Sequence, residues 1–209
     1  IGGAGNVAIN LSKLNNEVYL FSYIGNDFYG NILKELLYQH NIKFNLKVTE
    51  HNPTIVKNRI FSKKKLVNRF DIEKTNEINI TNDIVKFLKN MKVDLIVISD
   101  YNKGLITFNL MELIRNYSKE NKTKILVDPK PQNIEKYYDS YLLKLNLNGL
   151  LEINKKFKID TNNLNSISRM ICNKYNIKYL VTTLSGNGIY FYDFIKDKDF
   201  KFNKKYIQD

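Results

Sequence analysis

The sequence predicts an α/β fold built on a mostly parallel sheet. Three observations carry that prediction. From residue 94 onward, short apolar runs of strand length alternate with amphipathic stretches of helical period. Helix-start signals such as Thr107 fall between them. Residues 44–71 break the rhythm with three β-type pieces and no helix between them, which points to a small separate β layer. With 209 residues, 43% of them hydrophobic, the chain can bury a sizeable core as one domain, and it is not of disordered composition.

Taken in order, the chain opens on Gly2-Gly3-Ala4-Gly5-Asn6, a glycine-rich turn that enters an apolar helix over 7–11. Residues 18–24 read as a strand. Residues 28–40 read as a helix with Ile32, Leu33, Leu36 and Leu37 on one face. The pieces 44–48, 55–61 and 66–70 form the small antiparallel layer or lid, about 44–71. Ile84, Val85, Leu88 and Met91 make a further helical stripe. Residues 94–99 (DLIVIS) are a buried strand, and Thr107 caps a helix that runs to about 121. Strands follow at 124–127, 141–143 and 179–183, with a short helical piece after Pro131 and a helix over 162–174. Strand–helix alternation of this kind gives a sheet covered by helices on both faces, and right-handed crossovers align the carboxyl ends of its strands on one edge.

The net charge is +12. Two readings compete: clustered cations that bind nucleic acid, and a composition rich in Lys throughout. Lys63-Lys64-Lys65 is the one run, and the rest of the charge is dispersed, so the second reading is preferred and no nucleic-acid partner is expected. No apolar run approaches the ~20 residues that span a bilayer, and residues 1–8 lack the pattern of a targeting segment, so no membrane partner is expected either. The chain begins at Ile1 in what reads as mid-sequence, so further residues are expected upstream. The lone Cys172 has no internal disulfide partner, which fits a reducing, cytoplasmic setting. Beside Met170 and Ile171 it reads as a buried structural thiol. His40 and His51 stand in polar surroundings without metal-ligand spacing and read as surface residues.

Ligands of open α/β sheets bind outside the carboxyl ends of the strands. Those ends deliver Asp100 and Lys103, then Asp128 and Lys130, then Asn146 to Gly149, then Ser185, Gly186 and Gly188. Their joint placement on one edge implies a shared site. Neither GxGxxG nor GxxxxGK[ST] occurs, so a nucleotide site would be of another kind. Lys57 and Arg59 lie two apart on a strand and share a face, and Arg69 and Asp71 repeat the arrangement. Same-face cations suit a sugar phosphate, and a solvated strand face with cross-strand ion pairs accounts for them equally well.

Taken together, segments 2–30 (GGAGNVAINLSKLNNEVYLFSYIGNDFYG), 53–73 (PTIVKNRIFSKKKLVNRFDIE), 97–107 (VISDYNKGLIT), 126–130 (LVDPK) and 141–152 (YLLKLNLNGLLE) resemble the ribokinase-type (PfkB) carbohydrate kinases. Within them the likeness is to the D-glycero-β-D-manno-heptose 7-phosphate kinases, including the kinase half of bifunctional kinase/adenylyltransferases, and segment 53–73 carries that narrower likeness. The resemblance implies a ribokinase-like fold with a β lid. It also implies ATP as phosphoryl donor with Mg²⁺, a phosphorylated heptose as acceptor at its anomeric oxygen, the 1,7-bisphosphate as product on the way to ADP-heptose and lipopolysaccharide core, and a homodimer.

Carried to matching positions, Gly2, Gly3 and Asn6 would contact the sugar, and Lys57, Arg59, Arg69 and Asp71 the lid side and the sugar-phosphate end. Asp100, Lys103, Asp128 and Lys130 would line the pocket floor. Asn146, Leu147, Asn148 and Gly149 would lie at the nucleotide phosphates, and Thr183, Ser185, Gly186 and Gly188 would hold the nucleotide further along. The chain departs from the pattern at Asn15, at Lys65-Leu66 and at Pro131. It reads Lys144-Leu145-Asn146 where Thr-Pro-Asn is usual, and Gly149 where an acidic residue is usual. The family's Gly-Ala-Gly-Asp loop, with its general base, has no match, and neither does its first strand. The domain is therefore expected to be incomplete at both ends and these residues alone inactive. The alternatives left open are a truncated or decayed fragment that binds without catalysis, another ribokinase-type sugar kinase, and, last, a basic nucleic-acid-binding module.

Overall fold

A computed structural model describes residues 1–74, 76–158 and 161–203. The chain divides into two compact units, one comprising 1–90 with 102–106, the other 91–101 with the chain from 107 on.

The first unit contains α1 (Gly3–Lys13), β1 (Tyr19–Gly25), α2 (Phe28–Gln39), β2 (Lys43–Thr49), β3 (Val56–Ser62), β4 (Lys65–Ile72) and α3 (Thr81–Asn90). Asp27 caps α2 by accepting from the Gly30 amide at 2.8 Å. That helix is the crossover between β1 and β2, which pair in parallel from Tyr19↔Lys43 to Gly25↔Thr49. Residues 44–48 therefore do not belong with the antiparallel pieces that follow them, as the sequence reading grouped them. Phe44 and Leu46 alternate inward and pack with Ala8 and Ile9 of α1 and with Leu37 and Ile42, so this strand is held by a helix-covered core. A second cluster gathers Tyr23, Ile78 and Ile80, with Phe21, Ile55, Ile84 and Leu105 packed on it.

The antiparallel layer is the hairpin β3–β4 alone. Its turn, Lys63-Lys64, is left-handed at both residues (φ 45° and 65°), the backbone of a tight two-residue turn that glycine or asparagine usually fills. The lysine run thus lies at the exposed tip of the hairpin.

The second unit contains β5 (Leu95–Ser99), α4 (Phe108–Asn121), β6 (Lys124–Asp128), a 3-10 segment (Pro131–Tyr137), β7 (Leu142–Asn146), α5 (Leu147–Lys156), α6 (Leu164–Tyr175), β8 (Tyr179–Thr183), β9 (Ile189–Asp193) and β10 (Lys198–Phe202). The six strands form one sheet in the order β10-β9-β8-β7-β6-β5. β5 to β8 are parallel, as the alternation predicts, and β9 and β10 extend the sheet in antiparallel fashion.

Strands β6 to β8 are apolar because they are enclosed: Ile125, Val127, Leu143, Leu145 and Leu180 are buried, as are Leu110 and Met111 of α4, Leu150 of α5 and Ile171 of α6, whereas β5, read from sequence as a buried strand, is the edge of the sheet and exposes Leu95 and Val97. Burying each such side chain is worth about 1.5–3 kcal/mol. Cys172 lies in this core, and burial pushes its thiol up to about 12, so it is structural. Thr107 accepts from the Leu110 amide at 3.2 Å and starts α4, as predicted. Among the described residues no helix is long and apolar enough to cross a membrane.

Candidate functional site

In the second unit, the parallel register sets the site. Ser99 pairs with Asp128, and Asn146 with Thr183, so the ends of β5 and β6 come level, as do those of β7 and β8, which run two residues further. The carboxyl ends of β5, β6 and β7 enclose a polar cavity of about 190 Å³. Asp100, Asp128, Lys130, Asn146 and Gly149 line it, five of the residues singled out from sequence.

Asp100 is 5% exposed and takes hydrogen bonds from the Tyr137 hydroxyl at 2.5 Å and Asn133 Nδ2 at 2.7 Å. Burial, and then the Asp100 charge, push the Tyr137 hydroxyl far above the usual phenol range, so it stays protonated and donates. Asp128 and Lys144 meet for a reason visible in the register. β6 and β7 align Leu126↔Leu142 and Val127↔Leu143, so one step further along both strands sets Asp128 beside Lys144. Their side chains pair at 3.1 Å, each 40% exposed. A pair that open is worth at most about 1 kcal/mol. Asn146 starts α5 as its cap, its Oδ1 accepting from the Gly149 amide at 2.7 Å. A Cβ at Gly149 would stand 3.1 Å from that oxygen and 3.2 Å from Pro131, which suits a residue without a side chain.

The other nucleotide-side residues do not join this cavity. Leu147 lines a second, more apolar cavity of about 340 Å³ with Leu151, Asn162, Leu164, Leu184, Asn187 and Lys201. Asn148 is exposed on the first turn of α5. Thr183 ends β8, its hydroxyl donating to the Leu145 carbonyl at 3.5 Å. Ser185 and Gly186 are exposed on the loop that follows. Gly188 is buried there at φ 91°, and a Cβ on it would stand 1.9 Å from the Phe202 carbonyl oxygen of β10.

In the first unit, the glycine-rich opening is not a turn ahead of a helix. Gly2 is the N-cap of α1, and Gly3, at φ 56°, already begins it, with Asn6 exposed on the same turn. The hairpin does share a face as predicted. Lys57 stands opposite Asp71 and Arg59 opposite Arg69. Arg69 donates to both Asp71 oxygens, at 2.8 and 2.5 Å, which holds that carboxyl below its usual range. Lys57 pairs with the same carboxylate at 3.9 Å. The cross-strand ion pairs are therefore present, on a face that still offers Arg59 to solvent. Lys103 falls in the first unit, apart from Asp100 in the grouping of the chain, and pairs with Glu73 at 2.7 Å.

Sequence reasoning missed Tyr137, Asn133 and Glu73, and it placed Lys144 at the end of its strand without its partner Asp128. It also missed a buried joint before the hairpin. Asp27 Oδ2 accepts from the Thr54 amide at 2.8 Å, and Thr54 Oγ1 accepts from the Gly25 amide at 2.9 Å. Burial works against the Asp27 carboxylate, but the Thr54 and Gly30 amide donors outweigh it and hold the group below its ordinary range.

The fold is that of sugar and nucleoside kinases of the ribokinase-like type. The chain superimposes on phosphofructokinase-2 from Escherichia coli in complex with fructose-6-phosphate (TM-score 0.74, 15% identity, 97% of this chain and 67% of that one). It also superimposes on adenosine kinase from Anopheles gambiae (TM-score 0.78, 13% identity, 97% and 66%). The family model for PfkB carbohydrate kinases matches residues 1–208, and the chain belongs to the pfkB family of carbohydrate kinases. It is 34% identical over 200 residues to the bifunctional protein HldE of Aliarcobacter butzleri, covering 92% of this chain and 42% of that protein. It is 32% identical over 192 residues to HldE of Campylobacter fetus subsp. fetus, covering 90% and 42%. The chain thus spans less than half the length of these relatives.

Proposed function

We propose that this chain is part of an ATP-dependent kinase that phosphorylates D-glycero-β-D-manno-heptose 7-phosphate at its anomeric oxygen, giving the 1,7-bisphosphate used for ADP-heptose and lipopolysaccharide core synthesis. The observation that carries this reading is the 34% identity to a bifunctional HldE protein over 92% of the chain, together with the heptose-kinase-like segment 53–73. In this reading the protein works in the cytoplasm. The hairpin cations Lys57, Arg59 and Arg69 hold the sugar's phosphate, with Asp71 orienting Arg69. Lys103 and the opening residues Gly2, Gly3 and Asn6 belong to the sugar side.

The cavity at the ends of β5 to β7 takes the nucleotide phosphates, with the loop from Thr183 to Gly188 further along. The transfer is in line: the anomeric hydroxyl gives its proton to a base, its oxygen bonds to the γ-phosphorus, the bond to the β–γ bridging oxygen breaks, and ADP leaves. Two copies pair through the hairpin, whose Phe61, Leu66, Val67 and Phe70 are all more than half exposed.

Magnesium held beside phosphates usually takes one or two protein carboxylates, and the two that line the cavity, Asp100 and Asp128, already hold hydrogen-bond or ion-pair partners. Magnesium belongs here to the substrate, as the complex of ATP.

The test uses the full-length protein. With ATP it should convert the heptose 7-phosphate with a kcat/KM at least about tenfold above that for fructose 6-phosphate. Equal use of both sugars, or no transfer, overturns the assignment. Lys57→Ala or Arg59→Ala should raise KM for the sugar phosphate more than KM for ATP, and an equal rise in both counts against the hairpin's role.

A further inference from the structure

The β3–β4 hairpin carries Lys57, Arg59 and Arg69 on strands that are mostly exposed, so packing along the strands does not fix where those cations point. Their direction is set at the root, where the chain enters ahead of Val56 and leaves after Ile72. Polar contacts within the first unit hold both ends of that root. At the entry, Asp27 Oδ2 accepts from the Thr54 amide at 2.8 Å, and Thr54 Oγ1 accepts from the Gly25 amide at 2.9 Å. At the exit, Asn76 Nδ2 donates to Asn52 Oδ1 at 3.0 Å, and Lys103 pairs with Glu73 at 2.7 Å.

The two ends are unequal. Lys103 and Glu73 are 20% and 30% exposed, so solvent screens their pair. Asn52 and Thr54 are 3% and 6% exposed, so a donor or acceptor that loses its partner at the entry has no water to replace it. The entry is also tightly packed: a Cβ on Gly25 would stand 2.7 Å from the Thr54 nitrogen and 2.9 Å from the Asn52 carbonyl oxygen.

Asp27 is what joins this entry to the rest of the unit. One of its oxygens starts α2 through the Gly30 amide, and the other takes the Thr54 amide. Helix α2 is itself fixed by Leu37 in the core with Ala8, Ile9 and Ile42. Lys57 and Arg59 follow Thr54 closely on an extended chain, so a change of direction at Thr54 grows along the strand that carries them.

We infer that Asp27 is a positioning residue for the sugar-phosphate subsite: by holding the Thr54 amide it sets the direction in which Lys57 and Arg59 are presented, without touching the substrate. The inference rests on the hairpin being the element that holds the sugar's phosphate.

Steady-state kinetics of the full-length protein with ATP and the heptose 7-phosphate test it. Asp27→Asn keeps an oxygen for the Gly30 amide, because Asn caps helices as well as Asp does, but it cannot accept from the Thr54 amide as well. It should raise KM for the sugar phosphate about fivefold and leave KM for ATP within about twofold of wild type. A merely structural loss would lower the yield of active enzyme, and so kcat, and leave both KM values in place. Thr54→Val takes the acceptor from the buried Gly25 amide and should raise the same KM about threefold, while Thr54→Ser should restore it. That pair decides the matter if Asp27→Asn fails to fold. Lys57→Ala in the same assay separates the inference from the reading it rests on. If Lys57→Ala raises KM for the sugar phosphate selectively while Asp27→Asn leaves it unchanged, or raises both KM values alike, the inference is overturned and the hairpin keeps its role. If Lys57→Ala is not selective either, the hairpin's role falls and the inference with it.

Discussion

The six-stranded sheet and the β3–β4 hairpin carry charge in opposite ways. In the sheet, Asp100 and Asp128 stand at the ends of apolar strands, and packed neighbours fix their partners: Tyr137 and Asn133 for one, the register-matched Lys144 for the other. In the hairpin, Lys57, Arg59, Arg69 and Asp71 lie on a two-stranded ribbon whose residues are mostly exposed, and their order comes from one another. The difference shows what a packed sheet adds. It positions a charge through residues far away in sequence, whereas a ribbon positions it only through its cross-strand partner. The first kind of site depends on its apolar supports; the second, within the ribbon, is sensitive only to its own charges.

The largest effect should come from the sheet's support. Leu143 is fully buried in β7 next to Lys144, so Leu143→Ala should cost about 3 kcal/mol in urea unfolding. A cost below about 1 kcal/mol would mean that the sheet core is much looser than its burial implies. Next, Tyr137→Phe removes the buried donor to Asp100 and should cost about 1–3 kcal/mol by the same measurement. A neutral result would remove the argument that Asp100 depends on the core for its position.

Smaller again is the joint before the hairpin. Asp27→Ala removes a helix cap that also holds the Thr54 amide, at a cost of about 1 kcal/mol at neutral pH. Because the folded-state pKa of Asp27 lies below its ordinary 3.8, the stabilisation is complete above that value and disappears as the pH falls through the lowered one. Thermal melts of wild type and variant should therefore converge in strong acid, and a gap that persists there would assign the effect to packing. The smallest effect belongs to the ribbon: Phe61→Ser, at a side chain 59% exposed, should change stability by no more than about 0.5 kcal/mol when measured at dilutions where copies do not pair. A large loss in that variant would show the hairpin to be packed and would erase the contrast.

Strands β6 to β8 were readable because a strand inside a helix-covered sheet has few polar residues and ends abruptly, and β5 reads equally apolar although it is the sheet's edge. The Thr107 cap and the carboxylates that follow the strands were readable for the same reason. The β9–β10 extension was not. Its strands mix aromatic and charged residues over 189–202, and its turn has neither glycine nor proline, with Asp197 taking the left-handed backbone instead. The true partner of β2 was hidden because parallel pairing depends on a strand two elements earlier, and adjacency in sequence suggested the hairpin. Within the site, residue types and strand ends were legible, while partners were not: Asn133 and Tyr137 reach Asp100 from a short helical segment more than thirty residues away. The nucleotide-side set also looked like one cluster in sequence and divides between two cavities and an exposed loop.

The loop after β8 holds two glycines that a family comparison would treat alike. A methyl group at Gly186 would meet open space, whereas one at Gly188 would collide with the Phe202 carbonyl. Lineages carrying this fold should therefore drift freely at 186 and hold glycine at 188 even where the enzyme has lost its substrate. Invariance at 188 records the strand lying against it, and only invariance at 186 would be a trace of selection for a ligand.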